Sequence, residues 1–376
     1  MTFIILAHLL LVGFVFVYLS SNMIDLKRLT PASGPLAKSP RVSVCIPARN
    51  ESRDIGACLE SLARQDYDNF EVVAIDDNSE DGTGEIIRSY AERYSNFTAL
   101  QGGPLPEGWL GKPYALHQAQ AHANGDILIF TDADLKFEPN ALSTAIHATS
   151  LYDFDAMTLM PATTFGSFWE RCVQPVIFGF IAGLTRFGKV NQRDDKSAIG
   201  FGAFLMFRRD VYEAIGGHES VKSEILEDIG LGKRIKKCGY RLFVADGKAI
   251  FSIRMYHSLK EIWTGWRKNI FLALKRSPLR NFFYIFMINN FVGGPFLLTA
   301  FAWADGAAGW ALALCLLSLI LYLLTALGLC VELGLKAWYA FTFPLGALVM
   351  SGIMLDSMFQ IMFRKRSEWR GRVYSQ

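Results

Sequence analysis

The chain contains no CxxC pair, and its six cysteines (Cys45, Cys58, Cys172, Cys238, Cys315 and Cys330) fall at no spacing that would hold a zinc ion. Two of them lie inside apolar runs near the C-terminus, so reduced thiols in a core or facing lipid are expected, not a disulfide framework. No glycine fingerprint of the dinucleotide-binding type follows the first strand, and no GxxxxGK[ST] loop occurs, which argues against hydride transfer and P-loop hydrolysis. The net charge is only +3, and no basic stripe interleaved with aromatics marks a soluble segment. A nucleic-acid partner is therefore not expected. Ionisable residues are nearly absent from the apolar segments apart from Asp356, which weighs against a transporter or channel.

What is present in excess is apolar residue, 51% of the chain with 29 Phe. It is concentrated in the first twenty or so residues and the last hundred. From Thr2 to Ser20 the run is almost unbroken, about long enough to cross a ~30 Å hydrocarbon core as a helix. Lys27 and Arg28 follow the run and no cation precedes it, the reverse of a signal peptide's order. An uncleaved anchor with the following domain on the cytoplasmic side is expected. Three more candidates are roughly Phe282–Trp303, Ala308–Cys330 and Trp338–Phe363. The first contains Asn289, Asn290 and Gly293–Pro295 and is expected to be broken or re-entrant; the last carries Pro344 and Asp356. Three spans would carry the cationic tail Arg364–Arg372 outside, against the charge rule, so one of the C-terminal candidates is expected not to span.

The middle has ordinary soluble character. After a polar linker at Ala32–Lys38, Val42–Pro47 reads as a strand and Ile55–Arg64 as a helix. Phe70–Ser79 reads as a second strand, followed by an Asp81-Gly82 turn and a helix to Tyr94. A helix near Tyr114–Ala123 leads into a strand over Gly125–Leu135. Strands alternating with helices of this length predict an α/β domain with a mostly parallel sheet. Ligands of such sheets sit beyond the carboxyl ends of the strands. The acids fall there.

Asp132 and Asp134 flank Ala133 just after ILIFT. Two such carboxylates suit a hard divalent cation that also takes diphosphate oxygens, the sparse manner in which Mg²⁺ is bound; a solvated loop is the alternative. Asp76 to Ser79 offers acceptors for a base N–H or a ribose hydroxyl, or else a helix cap or turn. Pro47-Ala48-Arg49-Asn50-Glu51 ends the first strand beside them. Lys112, in the glycine-flanked turn Gly108–Lys112, is suited to a diphosphate. Ser197–Ala203 reads as a glycine-containing loop before the strand FLMFRR. Glu224–Gly230 opens an amphipathic helix to Lys237, where first-turn acids also suit the macrodipole. Phe168–Phe187, interrupted by Glu170, Arg171 and Pro175, reads as an interfacial helix shaping an acceptor entrance. His117 and His122, five apart, do not share a metal.

The ordered set PARNE, IDDNS with DGT, GWLGK, DAD and LED resembles family-2 glycosyltransferases of the GT-A fold, over roughly Val42–Ile270. The resemblance implies that Pro47, Ala48, Arg49, Glu51 and Asp76 surround the nucleotide, with Lys112, Asp132, Ala133 and Gly202 near the diphosphate and sugar. It implies that Asp134, with Asp132, ligates Mg²⁺ or Mn²⁺, and that Asp228 is the catalytic base of an inverting enzyme, supported by Glu227. Processive relatives carry a QxxRW motif where this chain has RMYHSLKEIWTGWRKN, so polymerisation is not implied, although Trp266 and Arg267 remain candidates for contact with acceptor or diphosphate. LPEGWLGK together with that segment looks most like the carotenoid- and hopanoid-associated branch, such as the hydroxychlorobactene glucosyltransferases.

The expected organisation is an anchor at 1–22, a GT-A domain at 40–265, a basic interfacial segment at 266–280, membrane helices at 281–363 and a basic tail at 364–376. The expected activity is transfer of a hexose from a nucleotide-diphosphate sugar, with uridine the family default, to a hydroxyl of a lipid-like acceptor at the membrane. Transfer to polyprenyl phosphate is the alternative, and a non-catalytic nucleotide-binding membrane protein the more distant one.

Overall fold

A computed structural model describes residues 2–31, 39–364, 366–369 and 372–375. The Ala32–Lys38 linker and part of the basic tail lie outside the described residues. The chain divides into two compact units. One comprises Leu26–Thr164 and Phe187–Met255; the other comprises Met1–Asp25, Phe165–Arg186 and Tyr256–Gln376.

The first unit is built on an eight-stranded sheet. In spatial order its strands are Lys27–Arg28, Leu242–Asp246, Ala156–Met160, Leu205–Arg208, Ile127–Phe130, Val42–Ala48, Phe70–Asp76 and Phe97–Gln101. All pairings are parallel except those of Leu205–Arg208, which runs antiparallel to both neighbours. Every residue of Val42–Ala48 is buried, as expected of a parallel strand covered on both faces by helices. The helices Ile55–Ala63 and Thr83–Arg93 lie close to the expected ranges and bury Ile55, Cys58, Leu59, Leu62 and Ile87 into that core.

Three elements differ from the sequence reading. The run expected as one strand over Gly125–Leu135 is two short strands in different sheets. Ile127–Phe130 belongs to the large sheet, and Leu135–Phe137 pairs antiparallel with Phe251–Ile253 in a three-stranded sheet. The large-sheet ladder stops where Phe130 meets Leu205, which releases Thr131–Asp134 from it. The helix expected from Glu224 begins at Glu227. Phe97–Gln101 was not read as a strand because, as a short edge strand, it has only one buried residue.

The second unit is helical. Phe3–Asp25, Gly309–Glu332 and Ala337–Phe363 are long and apolar enough to cross a membrane. Phe282–Trp303 is broken as expected: Pro278–Val292 and Gly294–Ala304 meet at a 54° bend at Gly293, ahead of a proline that fits the first turn of the second helix. Polar side chains tie the bundle together. The His8 ring contacts the Asn290 carbonyl at 3.1 Å, and the Asn22 amide donates to the carbonyls of Ala182 and Thr185. Asp356 accepts from Trp263 Nε1 at 2.7 Å and pairs with Arg267 at 3.4 Å. Helix Phe168–Leu184 belongs to this unit. Glu170, which looked like an interruption in the sequence, is a fully buried capping residue: its carboxylate accepts from the backbone N–H of Gly166 and Ser167, and Ser167 Oγ accepts from its N–H.

Candidate active site

The carboxyl ends of the central strands bring the polar segments side by side. Ala48 pairs with Asp76 and Asp76 with Gln101. PARNE and IDDNS therefore emerge next to each other and are stitched together. The buried Arg49 guanidinium donates to the carbonyls of Asp77 and Asn78, at 2.5 and 3.0 Å. Asn50 N–H donates to Ser79 Oγ, Glu51 N–H to Thr83 Oγ1 and Ser52 N–H to Asp81 Oδ2. Asn50 and Asn78 both take positive φ, 53° and 56°, a conformation Asn adopts more readily than most residues. Asp76, at 6% exposure, accepts from Ser79 N–H. Pro47 and Ala48 are buried at the strand end, below this rim.

Asp81 was read in the sequence only as a turn residue. It accepts from Thr83 Oγ1 at 2.6 Å as well as from Ser52. Burial works against its charge, yet hydrogen bonds from Thr83 and Ser52 hold its carboxyl down at about 2.

The second part of the site is a cluster of charge. Lys112 stands in the first turn of the helix Gly111–His122. Its ammonium lies 2.7 Å from Asp132 Oδ1 and 2.8 Å from Glu227 Oε1. Burial disfavours its charge, but Asp132, Glu227 and Asp228 together hold Lys112 protonated well above the usual lysine range. Asp228 accepts from Gly202 N–H through Oδ2 at 2.9 Å and from Ile229 N–H through Oδ1 at 2.8 Å. Its side chain keeps some solvent exposure, but protein fills most of the space around the carboxylate. Burial first, and the Glu227 charge second, push it up to about 7, against Lys112 and the two backbone donors.

The Ser197–Ala203 loop holds the cluster together. A methyl group on Gly202 would lie 2.9 Å from Lys112 Nζ, 3.4 Å from Asp228 Oδ2 and 3.6 Å from Asp132 Oδ2. One on Gly200 would lie 2.1 Å from the Asp228 carbonyl oxygen. The loop is fixed from behind, since Thr131 Oγ1 donates to the Ala203 carbonyl and Phe201 N–H donates to Thr158 Oγ1. Thr131 and Thr158 are thus site-shaping residues that the sequence reading passed over, and Gly200 lay in the glycine-containing loop without being singled out. A glycine two residues before Gly202 was the one visible signal; the threonines sit in apolar strands and gave none.

Asp134 is half-buried, and its charge is felt by Cys58, whose thiol is pushed up chiefly by burial and then by Asp134. No group of three or more His, Cys, Asp or Glu side chains able to hold a metal occurs among the described residues. The pair Asp132 and Asp134 fits a cation that takes most of its ligands from phosphates and water. Trp266 and Arg267 belong to the helical unit: Trp266 is buried beside Phe178 and Tyr256, and Arg267 is engaged by Asp356.

A mostly parallel sheet with polar acceptors, a lysine and paired carboxylates at its carboxyl edge makes this a GT-A-like domain. Residues 43–216 match the profile of Glycosyl transferase family 2, and the chain carries a glycosyltransferase domain of that family. It is 29% identical over 232 residues to 4,4'-diaponeurosporenoate glycosyltransferase of Staphylococcus haemolyticus (strain JCSC1435), covering 61% of this chain and 60% of that one. It is 27% identical over 237 residues to the protein of the same name from Staphylococcus aureus (strain USA300), with the same coverage. The chain thus spans about 60% of the length of the curated relatives it matches. Among solved structures, the mannosyltransferase PcManGT from Pyrobaculum calidifontis, in complex with GDP-Man and Mn2+, is similar with a TM-score of 0.52 at 19% identity, covering 96% of each chain. That likeness shows the fold. The matched family profile is the one expected from the motifs, and the relatives named here are of the expected carotenoid-associated kind.

Proposed function

We propose that the protein is an inverting glycosyltransferase that moves a hexose from a nucleotide-diphosphate sugar, with a UDP-sugar as the family default, to a hydroxyl of a lipid-like acceptor at the cytoplasmic face of a membrane. The observation that carries this reading is Asp228. It is a carboxylate raised to about 7, held by two backbone N–H groups, in a cluster with Lys112 and Asp132. A general base works best when its pKa lies near the operating pH, and such a base typically contributes about 10²–10⁴-fold.

In this reading the rim formed by Pro47, Ala48, Arg49, Glu51 and Asp76 receives the base and ribose. Lys112 faces the diphosphate and offsets the negative charge that grows on the departing nucleoside diphosphate. Asp228 takes the proton of the acceptor hydroxyl, and the acceptor oxygen attacks the anomeric carbon opposite the nucleoside diphosphate, whose bond to that carbon breaks, inverting the centre. Glu227 holds Lys112 in place. Asp134 and Asp132 would hold Mg²⁺ or Mn²⁺, which when bound screens the diphosphate charge; PcManGT, solved with Mn2+, supports the use of a divalent metal. The apolar helices and the carotenoid-branch relatives support a lipid-like acceptor such as a carotenoid, hopanoid or glycerolipid.

Membranes containing the protein are to be incubated with labelled sugar nucleotides, Mn²⁺ and a panel of carotenoid, hopanoid, diacylglycerol and polyprenyl phosphate acceptors, with products identified by mass spectrometry. Transfer to a hydroxylated lipid is expected. Asp228→Asn should abolish it while nucleotide binding persists. Much residual activity in that variant would point instead to polyprenyl phosphate, an acceptor already ionised, and no transfer to any acceptor would remove the enzymatic reading.

A further inference from the structure

Buried hydrogen-bonding groups almost always have partners, because an orphan forfeits its water without replacement. Within the helical unit six side chains depart from this rule among the described residues: Gln174, His257, Trp266, Asn269, Asn281 and Ser318. Gln174 is 0% exposed, and neither its amide nitrogen nor its amide oxygen is partnered. Trp266 Nε1, His257 Nε2 and Asn269 Oδ1 are buried and unpartnered as well.

These groups are linked by packing. Gln174 and Phe178, four residues apart on the helix Phe168–Leu184, share one face. The other face carries Cys172 and Val176, which close on Gly346. Phe178 meets Trp266 edge-on with ring centroids 6.4 Å apart, and Trp266 meets Tyr256 at 6.3 Å. His257 follows Tyr256, and its own N–H is anchored on Glu261 Oε2. The nearby charged groups have other partners: Arg267 with Asp356, which also accepts from Trp263 Nε1, and Glu170 in its capping box.

We infer that Gln174 and Trp266 form a receptor for the oxygen-bearing end of an apolar chain, a hydroxyl or a carboxyl, walled by Phe178 and Tyr256. The amide supplies both a donor and an acceptor and the indole a second donor. Arg267, the cation next to Trp266, is paired with Asp356, so the set suits a weakly charged head better than a phosphate, which calls for cationic donors. The inference rests on the lipid-like acceptor proposed above and narrows it to a neutral or carboxylic head.

The full chain in phosphatidylcholine nanodiscs is to be titrated with retinol, retinoic acid and the hydrocarbon polyene diphenylhexatriene, each corrected for partition into empty discs. At least one oxygenated probe should bind about tenfold tighter than the hydrocarbon, and the preferred probe distinguishes a hydroxyl from a carboxyl head. Gln174→Leu should abolish that preference, a loss of about 1.4 kcal/mol. Trp266→Phe should reduce it in part while keeping the ring. Because Gln174→Leu breaks no hydrogen bond, its Tm should equal or exceed that of the wild type. Equal affinity for all three probes, or an unchanged preference in Gln174→Leu, overturns the receptor, as does a lowered Tm with unchanged binding. Sugar transfer is read separately. Gln174-dependent binding in a protein that transfers no sugar keeps the receptor and removes the glycosyl-transfer reading; transfer insensitive to Gln174→Leu does the reverse.

Discussion

Asp228 is kept reluctant to ionise by its surroundings. Because only its carboxylate form accepts a proton, kcat/KM should rise with pH through about 7 and level above it. Lys112 pulls that value down, so Lys112→Met should move the rise to higher pH as well as weaken diphosphate binding. A pH–rate profile for both proteins checks this, and a rise centred near 4 in the wild type would sink the assignment of Asp228 as base. The sign for stability is opposite. An acid whose folded pKa is raised costs stability as pH climbs from its unfolded value toward 7. Asp228→Asn should therefore melt no lower than the wild type at pH 8, which separates lost chemistry from lost folding.

At the scale of single elements, the Ser197–Ala203 loop and the Asp76–Thr83 turn each do one job. The loop carries glycine where side chains would intrude, but the two glycines differ in what they face. Gly202 faces the mobile end of Lys112, whereas Gly200 faces backbone. Gly202→Ala should keep its Tm and lose tenfold or more in turnover, through displaced Lys112 contacts. Gly200→Ala should lose about 1–3 kcal/mol of stability, the scale of overpacking at a site that cannot relax. Thermal melts beside turnover assays distinguish the two. In the turn, Asp81→Ala should leave the Lys112 cluster intact but loosen the Asn50–Ser52 rim. Titration calorimetry with UDP and GDP should show roughly three- to tenfold weaker binding, the scale of one lost hydrogen bond.

For the whole molecule, three long apolar helices and a bent pair mean that the protein should remain in the membrane pellet after an alkaline carbonate wash. Recovery in the supernatant would count against anchoring. The helices long and apolar enough to span a membrane were legible at once, because such long apolar runs stand out in the sequence. The GT-A-like fold was legible too, since strand and helix periods alternate through the middle of the chain. The misreadings were local. In Gly125–Leu135 apolar residues stand on both sides of Thr131–Asp134, and nothing in the composition marks that one sheet lets go there and another begins. Glu170 looked like a flaw in an apolar helix because its S-x-x-E spacing from Ser167, a capping-box signature, went unread.

The sequence by itself determined which chemical groups are available and their order: the acids at strand ends, the lysine after a glycine turn, the apolar helices at either end. Those choices follow from local periodicity and side-chain chemistry, which act over a few residues. Only the tertiary structure decided that Lys112, Asp132, Glu227 and Asp228 meet around Gly202, that Asp228 is the acid with the raised pKa, and that Gln174 is buried with no partner of its own. Burial, distance and charge coupling arise between residues more than a hundred positions apart, such as Lys112 and Glu227, so they exist only once the chain has folded.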